Sequence, residues 1–89
     1  MCTIHVISPG VNEDLTTATF KVGDKVIQAE AIKDHKRPWP TTVGVVDCVF
    51  NSLHDGKICY AINGVTPEGK RWLDFCREDE IHLAPTNTN

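Results

Sequence analysis

Proline and glycine divide this chain into segments too short to build a helical bundle. Five prolines and six glycines are spread along the sequence, and no segment between them keeps a hydrophobic period of about 3.6 residues. The apolar residues form short runs, rich in β-branched and aromatic side chains, with turn signals between the runs. This pattern predicts an all-β domain of five to six short strands.

The strand-forming runs follow one another at short spacing. We expect strands over residues 3–7, 43–50, 58–62, 70–75 and 81–83. The apolar residues of the run 43–50 fall on both faces of a strand, so this strand is expected at the centre of the sheet. Short strands with frequent turns fit a small barrel or a sandwich, and a barrel is the expected architecture because it removes exposed strand edges.

Turn chemistry places the connections between these strands. Gly23-Asp24 and His54-Asp55-Gly56 are typical of tight turns. Thr66-Pro67-Glu68-Gly69 is the expected hairpin tip, because proline and glycine occupy the positions that a type I turn prefers. Asn63-Gly64 would then be a bulge.

Two short helical turns are also expected. Asn12 is a candidate N-cap for a turn within residues 11–18, because acidic residues follow it directly. The charged run 77–80 is expected to form a single 3₁₀ turn.

Composition excludes several classes of protein. The chain has 89 residues, the size of one domain, and its net charge of −3 argues against a general nucleic-acid coat. No apolar run reaches the roughly 18 residues of a membrane span. The first residues, Met1–His5, lack the basic and apolar regions of a signal peptide, so we expect a cytoplasmic protein.

The cysteines and histidines are scattered. The four cysteines are Cys2, Cys48, Cys59 and Cys76. They form no CxxC pair, so we expect reduced thiols rather than a zinc site or a disulfide framework. No HExxH motif is present, and no metal or cofactor is expected.

The sequence carries no recognisable catalytic motif. It contains no nucleophile elbow, phosphate-binding loop or dinucleotide fingerprint. A cysteine–histidine nucleophile would need a tertiary coincidence among Cys59, Cys76, His54 and His82. We therefore expect that the chain is not an enzyme.

Several short groups of residues between positions 20 and 83 form a pattern known from other small domains. It comprises Phe20-x-Val22-Gly23-Asp24-x-Val26, Gly44-Val45-Val46, Tyr60-x-Ile62, Gly69-x-x-Trp72 and Glu80-Ile81. This set resembles the SH3-like small β-barrels, including the KOW-type and Tudor-type modules. The resemblance implies a barrel over residues 20–84, an N-terminal strand and loop extension over 1–19, and a frayed tail over 85–89.

The resemblance implies a binding module rather than an enzyme. Such barrels commonly bind nucleic acid, peptides, methylated side chains or a larger protein, so the fold alone does not select a ligand. This chain lacks the aromatic pair expected in the first loop of a peptide-binding SH3 groove, and it has no clear aromatic cage.

The first candidate site is the loop segment Lys36-Arg37-Pro38-Trp39. Prolines bracket Trp39, which predicts an irregular loop over residues 33–42. Two cations beside a tryptophan can neutralise a phosphate and stack on a base, or can form a protein hot spot. The structural alternative is that Trp39 folds back as a lid over one end of the barrel.

The second candidate site is Lys70-Arg71-Trp72. Strand alternation puts Trp72 on one face, and Arg71, Leu73 and Phe75 on the other. Either Leu73 and Phe75 or Trp72 must face the core, and we expect Trp72 to be buried or half-buried. If both tryptophans are exposed, they form one patch with Lys36, Arg37 and Lys70.

These observations predict a non-catalytic interaction module that docks on a protein partner or a nucleoprotein assembly. The net charge of −3 favours a protein over bare DNA. A chain of this size also suits an accessory or inhibitor protein. The alternative is a KOW-like nucleic-acid-binding module that uses Lys36, Arg37, Trp39, Lys70 and Arg71.

Overall fold

Five strands form one antiparallel sheet in the computed structural model, which describes residues 10, 12–29 and 39–85. The strands are β1 (Lys25–Gln28), β2 (Gly44–Asn51), β3 (Ile58–Val65), β4 (Arg71–Arg77) and β5 (Ile81–Leu83). Two 3₁₀ turns, Leu15–Thr17 and Glu78–Glu80, complete the described structure. The all-β prediction and the 3₁₀ turn before the last strand are confirmed.

The five described strands have the order β4-β3-β2-β1-β5, and these strands alone do not close on one another. Strand β5 has three residues and pairs with β1. Closure into a barrel stays a prediction. Strand β2 lies at the centre, as predicted. The predicted strand 3–7 lies outside the described residues.

The irregularity in the sheet lies in β2, not at Asn63-Gly64 as predicted. Asn63 and Gly64 pair regularly with Leu73 and Trp72 of β4. The register shifts instead between Val46 and Cys48, which pair with the consecutive residues Ile62 and Ala61 of β3. Ile62 and Ala61 are consecutive, so they face opposite sides of the sheet, and their partners Val46 and Cys48 are therefore buried on opposite faces. The extra residue, Asp47, is exposed.

The β3–β4 hairpin turns at Thr66-Pro67-Glu68-Gly69, as predicted. The Thr66 N–H donates to the Lys70 carbonyl at 2.8 Å, and the Gly69 N–H donates to the Thr66 carbonyl at 2.8 Å. Gly69 has a φ of 87°, a left-handed conformation that glycine adopts without steric cost.

Two predicted boundaries need correction near the N-terminal end. The resemblance puts the first strand of the barrel at Phe20–Val26, but β1 begins at Lys25. The Lys21 N–H donates to Asp24 Oδ2 and the Asp24 N–H donates to the Lys21 carbonyl, and these bonds close a turn before the strand. The first 3₁₀ turn is capped by Asp14 rather than Asn12, with Asp14 Oδ1 accepting from the Thr16 N–H at 2.9 Å.

One face of the sheet carries the hydrophobic core. Its buried members are Phe20, Val26, Val46, Ile58, Tyr60, Ile62, Cys76 and Ile81. The Phe20 and Tyr60 rings meet edge to face, with centroids 5.2 Å apart. Tyr60 and Ile62 lie on the core face of β3, and the intervening Ala61 is buried on the other face.

Glu78 connects the segment before β1 to the sheet. Its Oε1 accepts from the Tyr60 hydroxyl at 2.7 Å and from the Thr19 N–H at 2.9 Å. The Thr19 N–H and the Tyr60 hydroxyl lower the pKa of Glu78 below its usual value. Burial, reinforced by Glu78, raises the pKa of Tyr60 above its usual value.

The state of the cysteines differs from the prediction. Cys59 and Cys76 are buried and form no disulfide, but Cys48 is disulfide-bonded, so the expectation of reduced thiols is wrong at that position. No helix among the described residues is long and apolar enough to cross a membrane.

The hydrogen bonds that Glu78 accepts should make an acid-sensitive contribution to the free energy of unfolding. Above the ordinary pKa of 4.5, the Glu78 carboxylate is charged in both the folded and the unfolded protein. Its hydrogen bonds exist only in the folded protein and favour it. That contribution is lost as pH falls through the lowered pKa of the folded protein. At neutral pH, Glu78→Gln should decrease the free energy of unfolding by about 1 kcal/mol, a gap that closes in acid.

Urea titrations over a pH series measure this gap. Asp79→Asn is the matched control, because Asp79 is an exposed neighbour in the same 3₁₀ turn. If the difference in free energy of unfolding between wild type and Glu78→Gln does not narrow in acid, the charge of Glu78 does not stabilise the fold.

Candidate functional site

The two tryptophans lie together on the core side of the sheet. The Trp39 and Trp72 ring centroids are 5.0 Å apart, with the planes tilted by 35°. The Trp39 backbone N–H donates to Gln28 Oε1 of β1 at 3.2 Å. The Trp72 Nε1–H donates to Thr41 Oγ1 at 3.2 Å. Trp39 therefore folds back onto the sheet, and both rings are half-buried.

Trp72 packs against two glycines that leave room for its ring. A Cβ added at Gly64 would lie 2.5 Å from the Trp72 indole, and one added at Gly44 would lie 2.8 Å from it. Gly64 pairs directly with Trp72 across the β3–β4 ladder. We call Gly44 and Gly64 the glycine shelf. Glycine inside a strand is typical of such close approaches.

Asp74 joins the tryptophan pair to the backbone of β4. Its Oδ2 accepts from the Trp39 Nε1–H at 2.9 Å, and its Oδ1 accepts from the Phe75 N–H at 2.9 Å. The Cys76 thiol lies 3.6 Å from the same carboxylate. Sequence reasoning missed this residue, although an acid two positions after Trp72 in an apolar strand must share the face of that tryptophan.

Carboxylates also accept hydrogen bonds from backbone N–H groups on the side of β4 that faces away from β3. Among the described residues, β4 pairs only with β3. The Phe75 N–H donates to Asp74, and the Arg77 N–H donates to Glu80 Oε1 at 2.8 Å. These two donors are thus satisfied without another strand, a feature that discourages edge-to-edge pairing.

The opposite face of β4 presents apolar side chains to solvent. Leu73 is 58% exposed, Phe75 is 50% exposed, and Val65, which lies directly across from Arg71 on β3, is 56% exposed. We call Val65, Arg71, Leu73 and Phe75 the outer strip. Phe75 touches Phe50 of β2 edge to face, with centroids 5.8 Å apart.

The outer strip is confined to the margin of the sheet. Farther from β4, on the same face, Ala61 and Cys48 are buried. Of the two arrangements open for β4, the structure thus has the one with Trp72 half-buried, which was the one expected, and with Leu73 and Phe75 outward.

Two shallow depressions flank the tryptophans. One has a volume of about 350 Å³ and is lined by Asn63, Gly64, Val65, Arg71, Trp72 and Leu73. The other has a volume of about 320 Å³ and is lined by Ile27, Gln28, Trp39, Pro40, Thr41 and Thr42. The first depression adjoins the outer strip and the second adjoins the tryptophan pair.

The predicted site residues are only partly brought together. Trp39 and Trp72 are in contact, and Lys70 and Arg71 are exposed beside Trp72 at the start of β4. Lys36 and Arg37 lie outside the described residues. Sequence reasoning did not include Asp74, Val65 or Asn63, whose positions depend on strand register.

The described cysteines and histidines do not form a nucleophile of the usual kind. Cys59 and Cys76 are buried, whereas His54 and His82 are exposed. Burial is the main cause that raises the pKa of the Cys59 thiol, which disfavours the reactive thiolate. Within residues 10, 12–29 and 39–85, no three acidic, histidine or cysteine side chains are grouped to hold a metal ion.

Comparisons of this protein with family profiles, with curated proteins and with solved structures found no match. The arrangement of β4, with ordered tryptophans on one face and exposed apolar groups on the other, is therefore the main guide to function.

The glycine shelf gives a direct test of this arrangement. Gly64→Ala places a methyl group where the Trp72 ring lies, so we expect a loss of about 1–3 kcal/mol in the free energy of unfolding. Gly10→Ala is the control, because nothing lies within 4 Å of a Cβ added there. Urea unfolding followed by tryptophan fluorescence measures both variants. Equal stability of Gly64→Ala and wild type would contradict the packing of Trp72.

Proposed function

We propose that this chain is a non-catalytic interaction module that docks on a protein partner, alone or within a nucleoprotein assembly, through the outer strip of β4. The observation that carries the proposal is the exposure of Leu73 and Phe75 side by side on a marginal strand, with Val65 nearby. Burying a side chain of this kind contributes about 1.5–3 kcal/mol, so a partner that covers the strip gains substantial free energy. Contiguous apolar patches on small proteins typically mark interaction sites.

We also propose that the fold is a partly open SH3-like barrel over residues 20–84. Support comes from the return of β5 to pair with β1, and from the β2–β3–β4 meander between them. The hydrogen bonds of Thr19 to Glu78 and of Glu13 to Gly56 tie the preceding segment to the sheet. Such a fold hosts many activities, so the outer strip, and not the fold, supports the function.

An accessory or inhibitor role suits the small size of the chain and the position of the outer strip at the margin of the sheet. The module supplies no chemistry in this proposal. It acts by occupying a partner surface.

Nucleic-acid binding by a KOW-like surface is the second candidate. It is favoured by the exposed Lys70 and Arg71 beside two tryptophans. It has less support, because the Trp39 and Trp72 rings pack on each other and both indole N–H groups already donate to protein oxygens. Base stacking would have to use the remaining exposed parts of these rings.

Charging the outer strip should abolish docking without unfolding the protein. Leu73→Asp should decrease partner capture from a lysate of the source organism by at least about tenfold. The substitution replaces an apolar contact by a carboxylate that loses its water when the partner binds. Leu83→Asp on β5 is a matched control, since Leu83 is 57% exposed and Leu73 is 58% exposed. Quantitative mass spectrometry of the captured proteins measures the difference, and circular dichroism verifies folding. Equal loss in both variants, or in neither, would refute docking through β4.

Salt dependence separates the two candidates. A nucleic-acid surface made by Lys70 and Arg71 should bind single-stranded RNA or duplex DNA with an affinity that falls steeply between 50 and about 200 mM salt. Docking through an apolar strip should change little over that range. An amide NMR titration at both salt concentrations measures this. Salt-sensitive shifts at residues 69–72 that are lost in Lys70→Glu would support nucleic-acid binding instead.

A further inference from the structure

We infer that the segment recognised by the outer strip is acidic as well as apolar, with a carboxylate of the partner held at Arg71. This inference rests on the proposed function and deepens it. It follows from the distribution of charge around the strip, from the depression beside Arg71, and from the way in which the β4 edge is occupied.

The outer strip is positively charged at one end, although the whole chain has a net charge of −3. Arg71 belongs to the strip, and Lys70 precedes it; within the described structure neither side chain has an ion-pair or hydrogen-bond partner. The acid of the same strand, Asp74, is on the other face and accepts from Trp39. The cation at the far end, Arg77, is paired with Asp55 at 2.9 Å. Among the charged side chains of β4, Arg71 is therefore the one without an ion-pair or hydrogen-bond partner in the described structure.

The depression beside Arg71 matches a carboxylate that is attached to an apolar segment. Its lining includes Arg71 and Asn63, whose guanidinium and amide groups are hydrogen-bond donors, together with the apolar Val65 and Leu73. Asn63 lies directly across the ladder from Leu73, so the amide and the apolar groups share one face. A guanidinium binds a carboxylate with charge-assisted and often paired hydrogen bonds.

The occupied edge of β4 determines how such a segment lies. A strand added along all of β4 would need the Phe75 and Arg77 N–H groups, which already donate to Asp74 and Glu80. The partner therefore covers the face of the strand, where Leu73 and Phe75 project, rather than extending the sheet. Side-chain chemistry then decides recognition more than backbone pairing does.

A second copy of this chain does not complement the strip. In a two-fold interface the same patch meets itself, and the outer strip contains no acidic side chain to pair with Arg71. A partner segment that carries aspartate or glutamate next to apolar residues supplies what the strip lacks. Complementary charge of this kind also increases the rate of association.

Selection from a library of random 12-residue peptides displayed on phage tests this inference. Wild type should enrich peptides in which aspartate or glutamate stands next to apolar residues. Arg71→Glu should bind those peptides at least about tenfold more weakly, and should itself select peptides with lysine or arginine. Lys25→Glu, which reverses an exposed charge on β1, should bind like wild type. An amide NMR spectrum of each variant verifies folding.

The outcomes distinguish this inference from the proposed function. Peptides that depend on Leu73, carry no excess of acids and bind Arg71→Glu normally would overturn the acidic preference, while docking through the strip would stand. Failure to enrich any peptide over a Leu73→Asp counter-selection would also overturn the inference, because a linear acidic segment would not be the ligand. Whole-protein capture with Leu73→Asp would then decide the proposed function separately.

Discussion

Trp72 packs into the space that Gly44 and Gly64 leave free, and this contact determines the orientation of β4. Side chains alternate along a strand, so placing Trp72 on the core side also places Asp74 and Cys76 there. It equally places Arg71, Leu73 and Phe75 outside. A shift of one residue in the β3–β4 register would exchange the two sets, and would put Arg71 over the glycine shelf. The outer strip exists because that shift is prevented.

Asp74 extends the effect of this contact to the loop and to the edge of the sheet. By accepting from Trp39 it holds the second tryptophan against Trp72, and by accepting from the Phe75 N–H it satisfies a donor at the margin. An acid that faces inward on an edge strand is a known means of limiting unwanted strand pairing. The same side chain that completes the tryptophan site therefore leaves the apolar face of β4 accessible while restricting its backbone.

The elements of the fold could largely be predicted from local sequence. Local signals are present in the apolar runs of β2 and β3 and in the Thr66–Gly69 turn. The structure has strands or a turn at these positions. The pairing of the short β5 with β1 has no local signal, because it joins two segments far apart in the sequence. The bulge at Asp47 and the disulfide at Cys48 also depend on tertiary contacts that residue spacing does not encode.

The candidate site was only partly predictable, for a physical reason. Leu73, Phe75 and Trp72 are all apolar, so hydrophobicity alone cannot assign the faces of β4, and the decisive signal lies in two glycines on other strands. Asn63, Val65 and Asp74 become relevant only through register and burial. Lys36 and Arg37 lie outside the described residues, and their role stays a prediction.

The orientation of β4 can be measured directly by nuclear Overhauser effects in the labelled protein. The account predicts contacts from the Trp72 indole protons to the α-protons of Gly44 and Gly64, and no contacts from the Leu73 methyl groups to the ring of Tyr60. Contacts between Leu73 and Tyr60, with Trp72 free of both glycines, would show that β4 is turned the other way and would contradict the account.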